Sequence, residues 1–579
     1  MLTSQYALFF KIEITMRKIF ASVLFAVISI VATAAPVNRQ HALSSARAIL
    51  QGKKLSEVAL PVSVRKRIKV ANRSEAPAFY VFNADDGKGF AIIAGDDTFP
   101  EIVGYSEKGS FRENVEMPPA LADFMAFYSQ YVADVRAGKA APPTRRRAQT
   151  ATYPATVAPL LTCEFGQDAP YNNLCYDSNN RLCPCGCVAT AVAQIMYYWQ
   201  WPDQSSAATG YNWSAVYPTT EENLASEDAS AVIAQVCSDL GRSLDMQYTP
   251  TGSGAQSNRV VNILSRIYGY VPTSLRYYWR MCSSSSEEWM NIIKREVSSK
   301  RPVYYSAASL IGSGRDAGGH AFVIDGYNST DFVHVNWGWD GRYNAYYDIA
   351  LLDPPGYSFI EDQTIITGIQ PNRYGITGTV TDYMQLRDVP VYTGSKTFRN
   401  NVEFKIIVNN IYNINANAHN WEYSIGLFDT SLRLIETIQS LRVIPSVSLG
   451  VFYYMPESEV ACKLSNYSDG EYVLRVVFRE KGSADWLLPD VVGGQDQNLI
   501  PIRIASKKVT MYAEDVEIIT PVEEAPTVAP DASAARVMVY DLQGHLLHVS
   551  TPEAFRLDNV PARGLLIIKQ GDKVRKVVR

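Results

Sequence analysis

The chain reads as an α+β protein whose last third is all-β. Three observations carry this reading: one uninterrupted apolar helix candidate beginning near residue 187 among short strand-like runs, a change to period-two alternation from about residue 376, and proline-bearing linkers that separate these textures. The length agrees, since 579 residues at roughly 100–200 per domain make three to five folded units. Hydrophobic residues at 47% and charged residues at 19% are near the globular average, which excludes wholesale disorder and collagen-like order. Lys and Arg number 54 against 58 Asp and Glu, a net charge of -4, so no global basic field exists to hold nucleic acid or an anionic membrane.

From Met16 the chain runs Met-Arg-Lys, then an apolar stretch over 19–31, then Ala32-Thr33-Ala34-Ala35, the charged, apolar, small-residue order of a secretory signal. The stretch is shorter than the ~20 residues that span hydrocarbon. The sequence therefore predicts a signal peptide over 1–34, with Met16 as the true start, and no transmembrane helix in the mature chain. Residues 35–147 open with a helix candidate over 42–50, followed by Phe79-Tyr80-Val81-Phe82 and Gly89-Phe90-Ala91-Ile92-Ile93-Ala94, strands split by Asp85-Asp86-Gly87. This is a small α+β unit. Its end, Pro142-Pro143-Thr144-Arg145-Arg146-Arg147, blocks regular structure and offers an exposed, cuttable backbone. It is either a processing site that releases a chain beginning near Ala148 or an ordinary basic linker. Residues 148–372 hold the chemistry. Over 373–522, alternation such as Val402-Glu403-Phe404-Lys405-Ile406 predicts a β-sandwich. Over 523–579, a linker bearing Glu523, Glu524, Pro526 and Pro530 leads into a final short β unit.

Of eight cysteines, Cys163, Cys175, Cys183, Cys185 and Cys187 fall in one stretch, which is a local feature rather than a fold-wide disulfide framework. The run after Gly186 is an apolar helix candidate, and Cys183-Pro184-Cys185-Gly186 before it cannot be helical throughout. Cys187 is thus placed at a helix N-terminus, where unpaired N–H groups and the dipole favour the nucleophilic thiolate. A small apolar Cys that merely packs is the plainer alternative. Histidine scarcity narrows the choice: of six, only His320 and His334 share this region. His320 follows Asp316-Ala317-Gly318-Gly319 and opens a buried strand, a good presentation for a general base. His334 lies in Phe332-Val333-His334-Val335-Asn336, where alternation marks a satisfied strand residue, with Asn336 on its face. The order Cys187, His320, Asn336, with His and Asn about 130–150 residues after the Cys, is the papain-like spacing.

Gly186-Cys187-Val188-Ala189-Thr190-Ala191, Gly319-His320-Ala321-Phe322-Val323-Ile324-Asp325-Gly326 and Val335-Asn336-Trp337-Gly338-Trp339 together resemble the streptopain family of secreted bacterial cysteine peptidases. The layout is similar to the multidomain, interpain-type members. The resemblance covers about 148–370 and extends to 79–97, which looks like that family's inhibitory prodomain. It implies a papain-like catalytic domain with Cys187 as nucleophile and His320 as its partner, the two held as a thiolate–imidazolium pair. It also implies Gln167, in Phe165-Gly166-Gln167-Asp168, as the oxyanion-hole amide, Trp337 as an aromatic shielding the histidine, and, by papain analogy, Asn336 as orienter. The family leaning is toward substrates with an apolar residue one position before the scissile residue.

The expectation is an exported, zymogenic cysteine endopeptidase acting on proteins and peptides without a cofactor, silenced by its own propeptide. Zinc is argued against by Cys-x-Cys-x-Cys, which lacks the gaps of zinc pairs, and disulfides from Cys183 and Cys185 to Cys163 or Cys175 are expected instead. The last stretch, with tight glycine turns and a basic final strand through Lys573-Val574-Arg575-Lys576-Val577-Val578-Arg579, resembles the C-terminal sorting domain of the type IX secretion system. That implies the secretion machinery as a partner and a cell-surface or secreted location. A plain basic edge strand is the alternative. The rival function is a surface adhesin in which the β domains do the work.

Overall fold

The computed structural model describes residues 35–59, 76–112, 117–143, 153–204, 210–280, 286–308, 319–349 and 363–373, most of 375–516, and strands between 537 and 578. The signal segment, Arg145 to Arg147, the glycine loop before Gly319 and the linker from Glu523 to Pro530 lie outside the described residues.

Helix α1 (Arg39–Ile49) begins earlier than the alternation suggests because Asn38 caps it, accepting from the His41 backbone N–H at 2.9 Å. Strands β1 (Leu55–Glu57), β2 (Phe79–Ala84), β3 (Phe90–Ala94) and β4 (Ile102–Ser106) form an antiparallel meander. Its period-two alternation sorts side chains to two faces. Tyr80, Phe82, Ala91 and Ile93 pack under α1 through Ala42 and Ala46. Phe79, Val81, Phe90 and Ile92 face the main core, which helix α2 (Pro119–Arg136) joins through Leu121, Met125 and Tyr128.

The catalytic region contributes helices α3 (Cys187–Trp199), α4 (Thr220–Leu224), α5 (Glu227–Ser243), α6 (Arg259–Arg266) and α7 (Ser286–Ser298). Its strands are β5 (Arg276–Trp279), β6 (Val303–Ala308), β7 (Gly319–Tyr327), β8 (Val333–Asn336), β9 (Ala345–Tyr347) and β10 (Thr364–Thr367). All join the first four in one ten-stranded sheet of order β1-β2-β3-β4-β9-β8-β7-β6-β10-β5. The seam is β4 on β9, with Gly104 opposite Tyr347 and Tyr105 opposite Tyr346. Helix α3 packs against β7 and is buried on every face from Cys187 to Met196, as its unbroken apolar sequence requires.

The C-terminal β region packs its sheets over a second core, in which Trp421, Tyr423 and Phe478 meet Phe404, Ile406 and Val460. The final four strands, Val537–Tyr540, Leu546–Ser550, Leu565–Gln570 and Lys573–Val578, form a sheet of their own with the basic strand at its edge. Among the described residues no helix is long and apolar enough to cross a membrane.

Candidate active site

Gly186 precedes α3 at φ +92°, a left-handed conformation, and a Cβ there would stand 2.8 Å from Met246 Sδ, so glycine alone fits the turn that delivers Cys187. Cys187 is 9% exposed. Burial pushes its thiol up, while the backbone N–H groups of Ala321 and Val188, which it accepts from, pull it back down. Ala321 is the residue after His320, so the strand that carries the imidazole also touches the sulfur. Cys187 and His320 line one cleft of about 460 Å³, with Val188, Ala255, Tyr277 and Trp279 among its apolar walls.

His320 stands at the head of β7 and is buried. Its Nε2 bonds the Trp337 carbonyl at 3.0 Å. Burial lowers its pKa to about 4, against the smaller opposing effect of that carbonyl. Trp337, Trp339 and Phe322 surround the ring with centroids at 6.4, 5.7 and 6.4 Å. Trp337 is fixed by its Nε1–H donating to Tyr343 O at 3.0 Å and its backbone N–H donating to Asn344 Oδ1 at 3.0 Å. Trp339 was not singled out in the sequence, although it lies in the quoted Trp-Gly-Trp run. Gly338 between them has φ +65°, and a Cβ there would meet Thr190 Cγ2 at 2.8 Å, so the loop seats directly on α3.

Gln167 is half-buried, and its carbonyl accepts from the Cys185 backbone N–H at 2.9 Å, two residues before Cys187. The Asn336 amide donates to Cys163 O at 2.7 Å and its Oδ1 accepts from Gly338 N at 3.1 Å. Asn336 therefore ties the Trp337 loop to the stretch before α3, while His320 donates its own hydrogen bond to the neighbouring Trp337 carbonyl. His334 pairs with buried Asp325 at 2.6 Å, and the other Asp325 oxygen accepts from Leu161 N. It is the satisfied strand residue that alternation predicts.

The expected disulfides are corrected: Cys163, Cys175, Cys183, Cys185, Cys187, Cys237 and Cys462 are free thiols. Their neighbours are the reason. Cys183 donates to Arg181 O and Cys163 to Gln194 O, and Cys185 faces the Thr190 hydroxyl at 3.2 Å. Cys185 also bonds Cys237 on α5, a partner remote in sequence. Among the described residues no cluster of His, Cys, Asp and Glu fits a metal ion.

The Peptidase C10 family matches residues 165–347, and the Spi protease inhibitor matches residues 34–132. The thiol protease/hemagglutinin PrtT of Porphyromonas gingivalis is 29% identical over 503 residues, which are 78% of this chain and 54% of that protein, so the chain spans about half its length. Streptopain of Streptococcus pyogenes is 28% identical over 349 residues, 53% of this chain and 84% of that protein. A solved prointerpain A fragment of Prevotella intermedia shares 29% identity at a TM-score of 0.46, covering 55% of this chain and 100% of that one. The solved active interpain A shares 33% at a TM-score of 0.33, covering 37% and 95%. The chain belongs to the peptidase C10 family, the streptopain-type cysteine peptidases, and carries a Spi-type inhibitor prodomain ahead of its catalytic region.

Proposed function

We propose that this chain is an exported, zymogenic cysteine endopeptidase that hydrolyses peptide bonds in proteins. The observation that carries the reading is the joint placement of Cys187 at the start of α3 and His320 at the head of β7 on the walls of one cleft. In the working enzyme His320 takes the Cys187 proton, and the thiolate attacks the scissile carbonyl carbon. The resulting oxyanion is met by the Cys187 backbone N–H and the Gln167 side-chain amide. His320 then protonates the leaving amine, and water, deprotonated by the same imidazole, releases the acyl group from sulfur.

The Spi-like segment serves as the inhibitor by acting on the loop behind the histidine, and among its described residues none lines the cleft. Ser106 Oγ donates to Asn344 O at 3.0 Å, Phe111 packs edge-on to Tyr343 at 5.2 Å, and Tyr105 stacks on Tyr346 at 5.4 Å. Tyr343 and Asn344 are the residues that fix Trp337, whose carbonyl holds His320. Prodomain contact thus bears, through Trp337, on the carbonyl that His320 Nε2 bonds. Purified chain released from its prodomain should digest casein, and a thiol alkylator should abolish that digestion. Undiminished digestion after complete alkylation of Cys187 sinks the mechanism, and absence of any digestion leaves the adhesin reading standing.

A further inference from the structure

Resting on the peptidase reading above, we propose that the C-terminal β-sandwich sets substrate side-chain preference, with Tyr412 and Gln385 as positioning residues for the apolar wall of the catalytic cleft.

The wall is strand β5. Tyr277 and Trp279, two residues apart on one face, line the cleft beside Cys187 and His320. Among the described residues strand β5 is the last strand of the ten-stranded sheet, paired with β10 on one side only. An edge strand bearing two large aromatic side chains has no covalent or ladder restraint on its outer side. The sandwich supplies one. Gln385, 2% exposed, donates its Nε2–H to the Tyr277 carbonyl at 2.7 Å. Tyr412, also 2% exposed, meets the Trp279 ring edge-on at 5.4 Å and 83°. Arg276, the first residue of β5, lies over the Tyr383 ring at 4.7 Å. Asn258, at the start of α6, donates to Asn415 O at 3.0 Å.

Two features mark this as a built junction. Gln385 and Tyr412 are cross-strand partners in the sandwich, so one ladder presents both groups to β5. Tyr412 is also packed within the catalytic region's core rather than the sandwich's own, which holds its neighbour Ile411. The occupant of the wall is an apolar substrate side chain flanking the scissile bond, because Val188, Ala255, Tyr277 and Trp279 offer it apolar surface.

The test uses the full chain carrying Cys187→Ala, matured by limited trypsin at Arg145 to Arg147, and calorimetric binding of peptides that differ only in the residue before the scissile position. Tyr412→Ala should weaken leucine and phenylalanine peptides by about three- to tenfold, the worth of one aromatic pair. It should leave the alanine peptide within about twofold, and Tyr412→Phe, which keeps the ring, should bind like the parent. Gln385→Ala should give the same selective pattern at smaller size and decides the matter if Tyr412→Ala does not fold by thermal unfolding. Unchanged affinities, or an equal loss for every peptide, overturn the proposal. Hydrolysis by the Cys187-intact chain scores the peptidase reading separately: there Tyr412→Ala should raise KM for leucine peptides and leave kcat, and a chain that binds selectively without cutting refutes the enzyme alone.

Discussion

Burial favours the uncharged forms of Cys187 and His320, raising the thiol and lowering the imidazole to about 4, so in the prodomain-bound chain the pair departs from the thiolate–imidazolium state that the family resemblance implies. The unfolded histidine titrates near 6.5. Between these values the unfolded chain binds the extra proton, so this contribution to stability is whole above about pH 6.5 and is lost as the pH falls toward 4. The prodomain-bound chain should therefore lose roughly 3 kcal/mol more than its His320→Ala variant between neutral pH and pH 4, read from urea unfolding of each. Equal pH dependence in the two would show that His320 is not desolvated. For activity, Cys187→Ala and His320→Ala should each cost several orders of magnitude in kcat while retaining the fold, because nucleophile and base act as one unit. His334→Ala should spare kcat and cost about 1–3 kcal/mol of stability by leaving Asp325 buried without its partner. The placement of Cys187 and His320 on one cleft was legible because histidines are scarce and a helix start announces itself. Trp339 and the Ala321 amide were not, since their approach to the site depends on how the loop after β8 and strand β7 fold back over α3.

At the level of elements, the helix at Cys187 and the strands at Phe79, Phe90 and His320 follow from local period and turn residues, and the structure places them within a few residues of those readings. The continuity of the prodomain and catalytic sheets does not. It rests on β4 meeting β9 across more than 200 residues, and no local pattern encodes that choice of partner. The thiols teach the same lesson: the thiol that meets Cys185 is Cys237 on helix α5, a hydrogen-bond partner remote in sequence, whereas sequence proximity pointed to Cys163 and Cys175. The seam also gives the prodomain its grip, through Tyr105 stacked on Tyr346 and accepting from Asn328 Nδ2 at 3.2 Å. Removing that ring should weaken inhibition without touching chemistry. Added in trans to mature enzyme, residues 35–147 carrying Tyr105→Ala should inhibit with a Ki raised about three- to tenfold over the native segment, the worth of one aromatic pair. An unchanged Ki, measured with a peptide substrate, would assign the grip to other contacts.

Across the whole molecule, one core is shared by the prodomain and the catalytic region, a second fills the sandwich, and the last four strands pair only with one another among the described residues. That last independence bears on export. A sheet whose ladders close within residues 537–578 contributes no strand to the catalytic sheet or to the sandwich, so its loss removes none of their hydrogen-bonded pairs. Its edge strand, Lys573–Val578, carries Lys573, Arg575 and Lys576, charges that discourage unwanted edge pairing yet leave a basic strand to be read by a partner. We propose that this sheet serves as the export address of the protein, a role that suits a sheet whose strands pair only with one another among the described residues. Deleting residues 531–579 should then leave the kcat and KM of the matured enzyme within about twofold of the full chain, since no described residue of that segment is among those lining the cleft. In the native host, the same deletion should hold the protein in the periplasm, as followed by fractionation and immunoblot. A truncated chain that reaches the cell surface or medium in normal amount would remove the sorting role and leave the sheet as a structural appendage, with the peptidase chemistry untouched.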